Sequence, residues 1–165
     1  LVTIGEGKYM LIEFYPQIIP DSHKQQLFDL KMAGVTPIIA HPERYKFVQE
    51  NIEMVTEWLE AGCIIQIDAG SPLGLLGNKS KITSIEIIKN NWFQIVGSDA
   101  HDNNNRRFCL KRALDFIRNF VGDPEKYVVE NPKKILNGEP IGIDIDYSKS
   151  VKSNRFINNL FKKKS

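Results

Sequence analysis

Two polar clusters, each directly after a mostly apolar run, contain the residues of this sequence best suited to metal chemistry. Residues 93–96 form one such run, and Asp99 and His101 follow it two positions apart. In extended backbone these two side chains project to the same side. The apolar run at residues 35–40 leads directly into His41. Two imidazoles and a carboxylate suit manganese, iron or zinc, so the sequence predicts that His41, Asp99 and His101 bind a divalent metal. The alternative is two core histidines with ordinary hydrogen bonds.

Two arginines lie just beyond these clusters. Arg44 stands three residues after His41, and Arg106 stands five residues after His101. A guanidinium group suits a phosphate because it donates paired hydrogen bonds to the phosphate oxygens. The pattern therefore indicates a site that binds a phosphate group.

Acidic residues end two further apolar runs of the sequence. Glu13 ends the run that begins at Tyr9, and Asp68 ends the run that begins at Ile64. Glu13 also fits an ion-paired surface carboxylate, and Asp68 lies in a sequence that favours a turn. The roles of both stay open at this level. His23, at a polar helix start, is predicted to be a solvated surface residue.

The elements that must position these residues recur along the chain. Strands are predicted to begin near residues 9, 36, 64 and 93, and each is followed by a helical pattern. Helices are predicted over residues 22–33, 51–61, 81–91 and 106–121, with two short ones beginning at Asp123-Pro124 and Asn131-Pro132. Repeated βα units predict an α/β fold with parallel strands, whose sites lie at the carboxyl ends of the strands. A full eight-fold barrel needs about 250 residues. The chain therefore predicts either a small open sheet or part of a barrel.

Basic residues are concentrated at the carboxyl end of the chain. The 165 residues carry a net charge of +2, yet residues 149–165 contain six basic side chains and no acidic one. The remaining 16 basic and 20 acidic residues give residues 1–148 a charge of about −4, which excludes a nucleic-acid binder by charge. The apolar residues of the tail are spaced as on a helix, so two interpretations stay open: an amphipathic segment on an anionic membrane surface, or a solvated terminus.

Other sequence signals concern the cellular compartment. The longest apolar runs are too short to span a membrane, and no signal-peptide pattern opens the chain. Cys63 and Cys109 lie in apolar segments, so reduced core thiols in a cytoplasmic protein are expected. Neither cysteine is followed by arginine at the sixth position, so neither fits a cysteine-phosphatase loop.

Residues 41–45 (His-Pro-Glu-Arg-Tyr) and 97–101 (Gly-Ser-Asp-Ala-His) closely resemble motifs of the polymerase-and-histidinol-phosphatase (PHP) superfamily. They resemble specifically the metal-dependent bacterial protein-tyrosine phosphatases of capsule and exopolysaccharide loci. The resemblance implies a distorted TIM-like barrel, of which residues 1–148 would form the C-terminal part. It implies up to three ions, usually manganese, with His41, Asp99 and His101 among the ligands. Arg44 and Arg106 would bind the substrate phosphate, as the catalytic arginines.

The implied substrate is phosphotyrosine on the tail of a capsule-assembly tyrosine kinase. A metal-bound hydroxide would attack phosphorus without a phosphoenzyme, and the protein would act in the cytoplasm or at the inner face of the membrane. The family's opening His-x-His motif has no counterpart after Leu1, so we expect this chain to be the C-terminal part of the phosphatase. Two alternatives stay open: a phosphatase for small phosphate esters, and an inactive fragment that binds the kinase or packs in an oligomer.

Overall fold

Four parallel β-strands form the sheet of this protein. The structure is a computed structural model that describes residues 2–100 and 108–143. The strands are β1 (Tyr9–Ile12), β2 (Thr36–Ala40), β3 (Ile64–Asp68) and β4 (Ile95–Gly97), and they lie side by side in chain order. Each pairs in parallel with its neighbour, so the predicted α/β fold with repeated βα units is confirmed. All four carboxyl ends therefore open at one edge.

Helices connect the strands. They are α1 (His23–Met32), α2 (Lys46–Glu50), α3 (Glu53–Glu60), α4 (Asn78–Lys89), α5 (Leu110–Ile117) and α6 (Asn131–Leu136), with a 3-10 turn at Pro42–Arg44 and a π-helical turn at Lys126–Glu130. None of the helices formed by the described residues is long and apolar enough to cross a membrane. Residues 144–165, which include the predicted basic tail, lie outside the described part of the chain.

The core lies on both faces of the sheet, because the strands are apolar almost throughout. On one face, Ile39 and Ile65 pack in a large cluster with Trp58 of α3. On the other face, Ile38 and Ile64 pack with a smaller group that includes Ile135 of α6. Both cysteines are buried free thiols, as predicted. Burial raises the pKa of Cys63 to about 11 and also raises that of Cys109, so neither thiol suits a nucleophile.

Several predicted boundaries differ from the structure: α4 begins at Asn78 instead of residue 81, and α5 ends at Ile117 instead of residue 121. Two further differences have identifiable reasons. The helix predicted over residues 51–61 begins at Glu53, and a separate helix, α2, precedes it. Asn51 has extended backbone between them, and its side-chain oxygen accepts a hydrogen bond from the Glu53 amide at 3.2 Å. The strand predicted from residue 93 begins two residues later. The Gln94 amide donates a hydrogen bond to the Ile65 carbonyl, and the Ile65 amide donates one to the side-chain oxygen of Gln94. The side-chain bond takes the place of a regular backbone bond between β3 and β4 at this position.

His23 was predicted to be solvated, and this is wrong. Its ring is only 6% exposed and lies edge-on against Phe14 and Trp58. Nδ1 lies 2.8 Å from the carbonyl oxygen of Pro20, which places the hydrogen there and satisfies one ring nitrogen. The residue closes an aromatic cluster behind β1. The helical spacing of apolar residues in the sequence also predicts that Met32, Ile82 and Phe120 face inward, but all three side chains are exposed. α1 buries only His23 and Leu27, so its inward face is narrow.

Candidate metal centre

Ionisable side chains from the ends of all four strands meet at the carboxyl edge of the sheet. His41 follows β2, and its Nε2 atom lies 3.3 Å from Oε1 of Glu13, which follows β1. The same nitrogen lies 3.9 Å from Oδ2 of Asp99, beyond β4. Arg44 places Nη1 2.5 Å from Oδ2 of Asp99 and 3.7 Å from Oδ2 of Asp68, the last residue of β3. The structure thus brings together His41, Arg44 and Asp99, together with Glu13 and Asp68.

The backbone at two of these residues is unusual. His41 has φ +32° and Asp99 has φ +41°, both in the left-handed region that side chains with a Cβ rarely adopt. Such conformations cost free energy and are concentrated at functional sites. Pro42 begins the 3-10 turn directly after His41, while the His41 amide donates a hydrogen bond to the Gln66 carbonyl at 2.7 Å. The turn therefore aims the imidazole across the strand ends.

The His41 ring is buried, and this decides its charge. Desolvation is the main cause that lowers its pKa below 6.5, and the Arg44 charge lowers it further, while Glu13 and Asp99 oppose them. The neutral imidazole that results at pH 7 is the form that binds a metal. Nδ1 is buried and has no hydrogen-bond partner among the described residues.

Tyr45 connects the ends of β1 and β2. Its buried hydroxyl donates a hydrogen bond to the Ala40 carbonyl at 2.7 Å and accepts one from the Phe14 amide at 3.0 Å. The next amide, of Lys46, donates to the Pro16 carbonyl at 2.7 Å. These bonds fix the loop after Glu13 against the turn that carries His41.

Glu43 is the residue of this region that the sequence did not single out. It lies in the 3-10 turn and is fully buried, and its Oε1 accepts a hydrogen bond from the Asp68 amide at 2.9 Å. Asp68 in turn accepts a hydrogen bond from the Gly70 amide at 2.7 Å. Glu43 therefore ties the end of β3 to the turn after β2. No periodic pattern signals it, because a glutamate between His41 and Arg44 is equally expected at the surface.

Replacing Glu43 with glutamine is expected to stabilise the protein more at pH 8 than at pH 5. Burial raises the pKa of Glu43 from 4.5 to about 7, so the folded state retains a proton that the unfolded state releases between these values. Stability from this group is therefore full below pH 4.5, falls as the pH rises towards 7, and stays low above it. Glutamine removes this loss, on the order of 3 kcal/mol. Urea unfolding at both pH values, followed by tryptophan fluorescence, measures the difference.

The matched control is Glu60→Gln, which neutralises an exposed carboxylate at the end of α3. Its effect should be small and nearly independent of pH. An equal effect of Glu43→Gln at pH 5 and pH 8 would contradict the assignment of a protonated, buried carboxyl.

The ligand set predicted from sequence is only partly covered by the structure. His101 and Arg106 lie outside the described residues, so their positions stay predictions. Within residues 2–100 and 108–143, no three histidine, cysteine or acidic side chains are arranged to hold a metal ion.

Two donor atoms are nevertheless spaced as neighbouring ligands of one ion would be. Neighbouring donors on one octahedral ion at ~2.1 Å lie about 3.0 Å apart, and Nε2 of His41 and Oε1 of Glu13 are separated by 3.3 Å. Asp99 is farther away and is held by Arg44.

The parallel sheet, with its ionisable side chains gathered at one edge, places this chain among α/β proteins whose sites lie at strand ends. A profile of the family described as capsular polysaccharide synthesis, CpsB/CapC, matches residues 1–137. The chain belongs to this family.

Individual relatives agree with this assignment. The chain is 36% identical to CapC of Staphylococcus aureus over 144 residues and 33% identical to the tyrosine-protein phosphatase YwqE of Bacillus subtilis over 142 residues. Each match covers 86% of this chain and 56% of the relative. The tyrosine-protein phosphatase CpsB of Streptococcus pneumoniae is 30% identical over 81% of this chain and 58% of its own length. The chain thus spans little more than half the length of these relatives.

The fold also matches a solved structure. It is one of the crystal structures of YwqE from Bacillus subtilis and CpsB from Streptococcus pneumoniae, which are described there as metal-dependent tyrosine phosphatases. The TM-score is 0.81 at 32% sequence identity, over 87% of this chain and 59% of the solved one.

Proposed function

We propose that this chain forms part of a metal-dependent phosphatase that hydrolyses phosphotyrosine on the tyrosine kinase of capsule assembly. The observation that carries the proposal is the convergence of His41, Glu13 and Asp99 beside Arg44 at one edge of the sheet. Membership of the CpsB/CapC family supports the same conclusion.

The proposed metal ligands are His41, Asp99 and His101, and the geometry adds Glu13 to them because its carboxylate faces the same imidazole nitrogen. A nitrogen donor with carboxylates suits manganese, with iron or zinc as alternatives. A divalent cation held there would lower the pKa of bound water and offset charge on the phosphate oxygens. His41 contributes a neutral nitrogen because its burial disfavours the protonated ring.

Arg44 is proposed to hold the substrate phosphate, together with Arg106. Its side chain is 23% exposed, and its Nη1 atom is held by Asp99 and Asp68. A planar fork fixed in this way can donate two hydrogen bonds to one phosphoryl group without reorganising. A thiol phosphoenzyme is not part of the proposal, because burial raises the pKa of both cysteines.

The fold is proposed to be part of a distorted TIM-like barrel of the PHP type. Along residues 10–12 the outer edge of β1 has no strand partner among the described residues. An apolar cavity of about 460 Å³ lies beside this edge, lined in part by Met10, Ile12 and Leu27. Unpaired strand edges and apolar cavities suit the packing of further βα units. The proposed partner is the tyrosine kinase of capsule assembly. Residues 149–165 are proposed to bind an anionic membrane surface.

Hydrolysis of a phosphotyrosine peptide by the 165-residue chain tests the function. We expect release of phosphate with manganese, none after chelation with EDTA, and no effect of thiol alkylation. Phosphoserine peptide and histidinol phosphate serve as competing substrates. Failure to release phosphate from any of them with manganese, iron or zinc, both by this chain and by a version extended upstream to include a His-x-His motif, would contradict the proposal.

A further inference from the structure

The loop that follows β1 exposes an aromatic side chain next to the candidate metal centre. Tyr15 is 83% exposed, and it comes two residues after Glu13. Ile18, in the same loop, is also exposed. A single exposed aromatic ring is ordinary at a protein surface. Its importance here depends on what holds it and what lies beside it.

The backbone on both sides of Tyr15 is held against the turn after β2. The Phe14 amide donates a hydrogen bond to the Tyr45 hydroxyl at 3.0 Å, and the Pro16 carbonyl accepts one from the Lys46 amide at 2.7 Å. The Tyr15 carbonyl itself accepts a hydrogen bond from the Ile18 amide at 3.3 Å. The base of the Tyr15 side chain is therefore fixed relative to the elements that carry His41 and Arg44.

A cavity of about 210 Å³ opens at this loop, lined by residues 13–16. One of its lining residues is Glu13, whose Oε1 lies 3.3 Å from Nε2 of His41. The other lining residues, Phe14, Tyr15 and Pro16, are aromatic or apolar. For comparison, a cavity of about 150 Å³ accommodates benzene. The space is thus large enough for a phenyl ring, and it adjoins the proposed phosphate site.

We infer that Tyr15 forms an aromatic wall that receives the phenyl ring of an aryl phosphate monoester whose phosphoryl group lies at the strand ends. This inference rests on the proposed function and adds a specificity-determining residue to it. The ring of the substrate packs against Tyr15 and Pro16, while an alkyl phosphate of the same charge makes no such contact. Tyr15 therefore favours phosphotyrosine over phosphoserine through binding and has no part in bond cleavage.

Calorimetric titration of phenyl phosphate and methyl phosphate into the 165-residue chain, with manganese, tests the inference without requiring turnover. We expect phenyl phosphate to bind more tightly. Tyr15→Ala should raise its Kd about fivefold, the size of a lost aromatic contact, and leave the Kd of methyl phosphate unchanged. Tyr15→Phe, which keeps the ring, should behave like the natural protein. In hydrolysis of phenyl phosphate, Tyr15→Ala should raise KM and leave kcat nearly unchanged.

Phe28→Ala is the matched control, because it removes an exposed aromatic ring from α1, 56% exposed and outside the strand ends. It should alter neither Kd. An unchanged preference for phenyl phosphate in Tyr15→Ala would overturn the inference and leave the proposed function intact. Failure of the natural protein to bind either ester, together with an absence of hydrolysis, would overturn both.

Discussion

Replacing His41 with asparagine is expected to weaken manganese binding at least about 100-fold and to abolish metal-dependent hydrolysis. Loss of residues that only orient ligands already lowers metal affinity 10–100-fold, so loss of the nitrogen ligand should exceed this. Asparagine is the suitable replacement because His41 has φ +32°, a conformation that asparagine tolerates better than most residues. Equilibrium dialysis with elemental analysis measures the affinity, and phosphate release measures the activity.

His23→Asn provides the control for this experiment. His23 is also buried, but it packs against Phe14 and Trp58 behind β1, away from the strand ends. It should lower the stability of the protein and leave metal affinity unchanged. Manganese binding by His41→Asn equal to that of the natural protein would remove His41 from the ligand set.

Metal binding by the natural protein should change little down to pH 6.5 and weaken only at more acidic pH, because burial lowers the pKa of His41 below 6.5. The imidazole of His41 must be neutral to act as a ligand, and its lowered pKa keeps it neutral at pH 7. The same titrations at pH 7.5 and pH 5.5 measure this dependence alongside the asparagine variant.

Replacing Arg44 with lysine is expected to lower kcat/KM for aryl phosphates by about 100-fold, the loss typical of one donor to a developing oxyanion. Lysine keeps the charge but cannot contact Asp99 and Asp68 while also presenting a planar pair of donors to a phosphate. Folding should be nearly unaffected, since the side chain lies partly in solvent. Steady-state kinetics with phenyl phosphate measures the change.

Arg118→Lys is the matched control. Arg118 pairs with Asp115 at 3.1 Å on the exposed face of α5, in an ion pair far less buried than that of Arg44. Its replacement should leave kcat/KM unchanged. If Arg44→Lys also retained full activity, Arg44 would be only a counter-charge for the two aspartates.

The parallel direction of the strands and the edge that carries the site follow from the sequence because both depend on repetition. Apolar runs at a spacing of roughly 28 residues, each followed by a helical pattern, leave few topologies other than a parallel sheet. His41 and Asp99 could be placed at its edge because each closely follows such a run. Their meeting is then a consequence of parallel strands opening at the same side.

The parts that sequence did not predict depend on contacts between distant residues. Glu43 can be buried because the Asp68 amide, 25 residues away, donates a hydrogen bond to it. The local sequence pattern does not indicate that bond. His23 is buried because Phe14 and Trp58 come together around it. Glu13 could not be separated from a surface carboxylate until His41 was seen to face it. In each case the deciding partner lies in another element.

The pairing of Arg44 with Asp99 and Asp68 has a consequence for how the protein folds. The guanidinium group supplies a built-in positive charge to carboxylates that would otherwise repel one another at the strand ends. We expect the sheet to keep Asp68 and Asp99 together without a bound cation, unlike small domains that unfold when their metal is removed. Chelation should therefore inactivate the protein reversibly, with its melting temperature largely preserved.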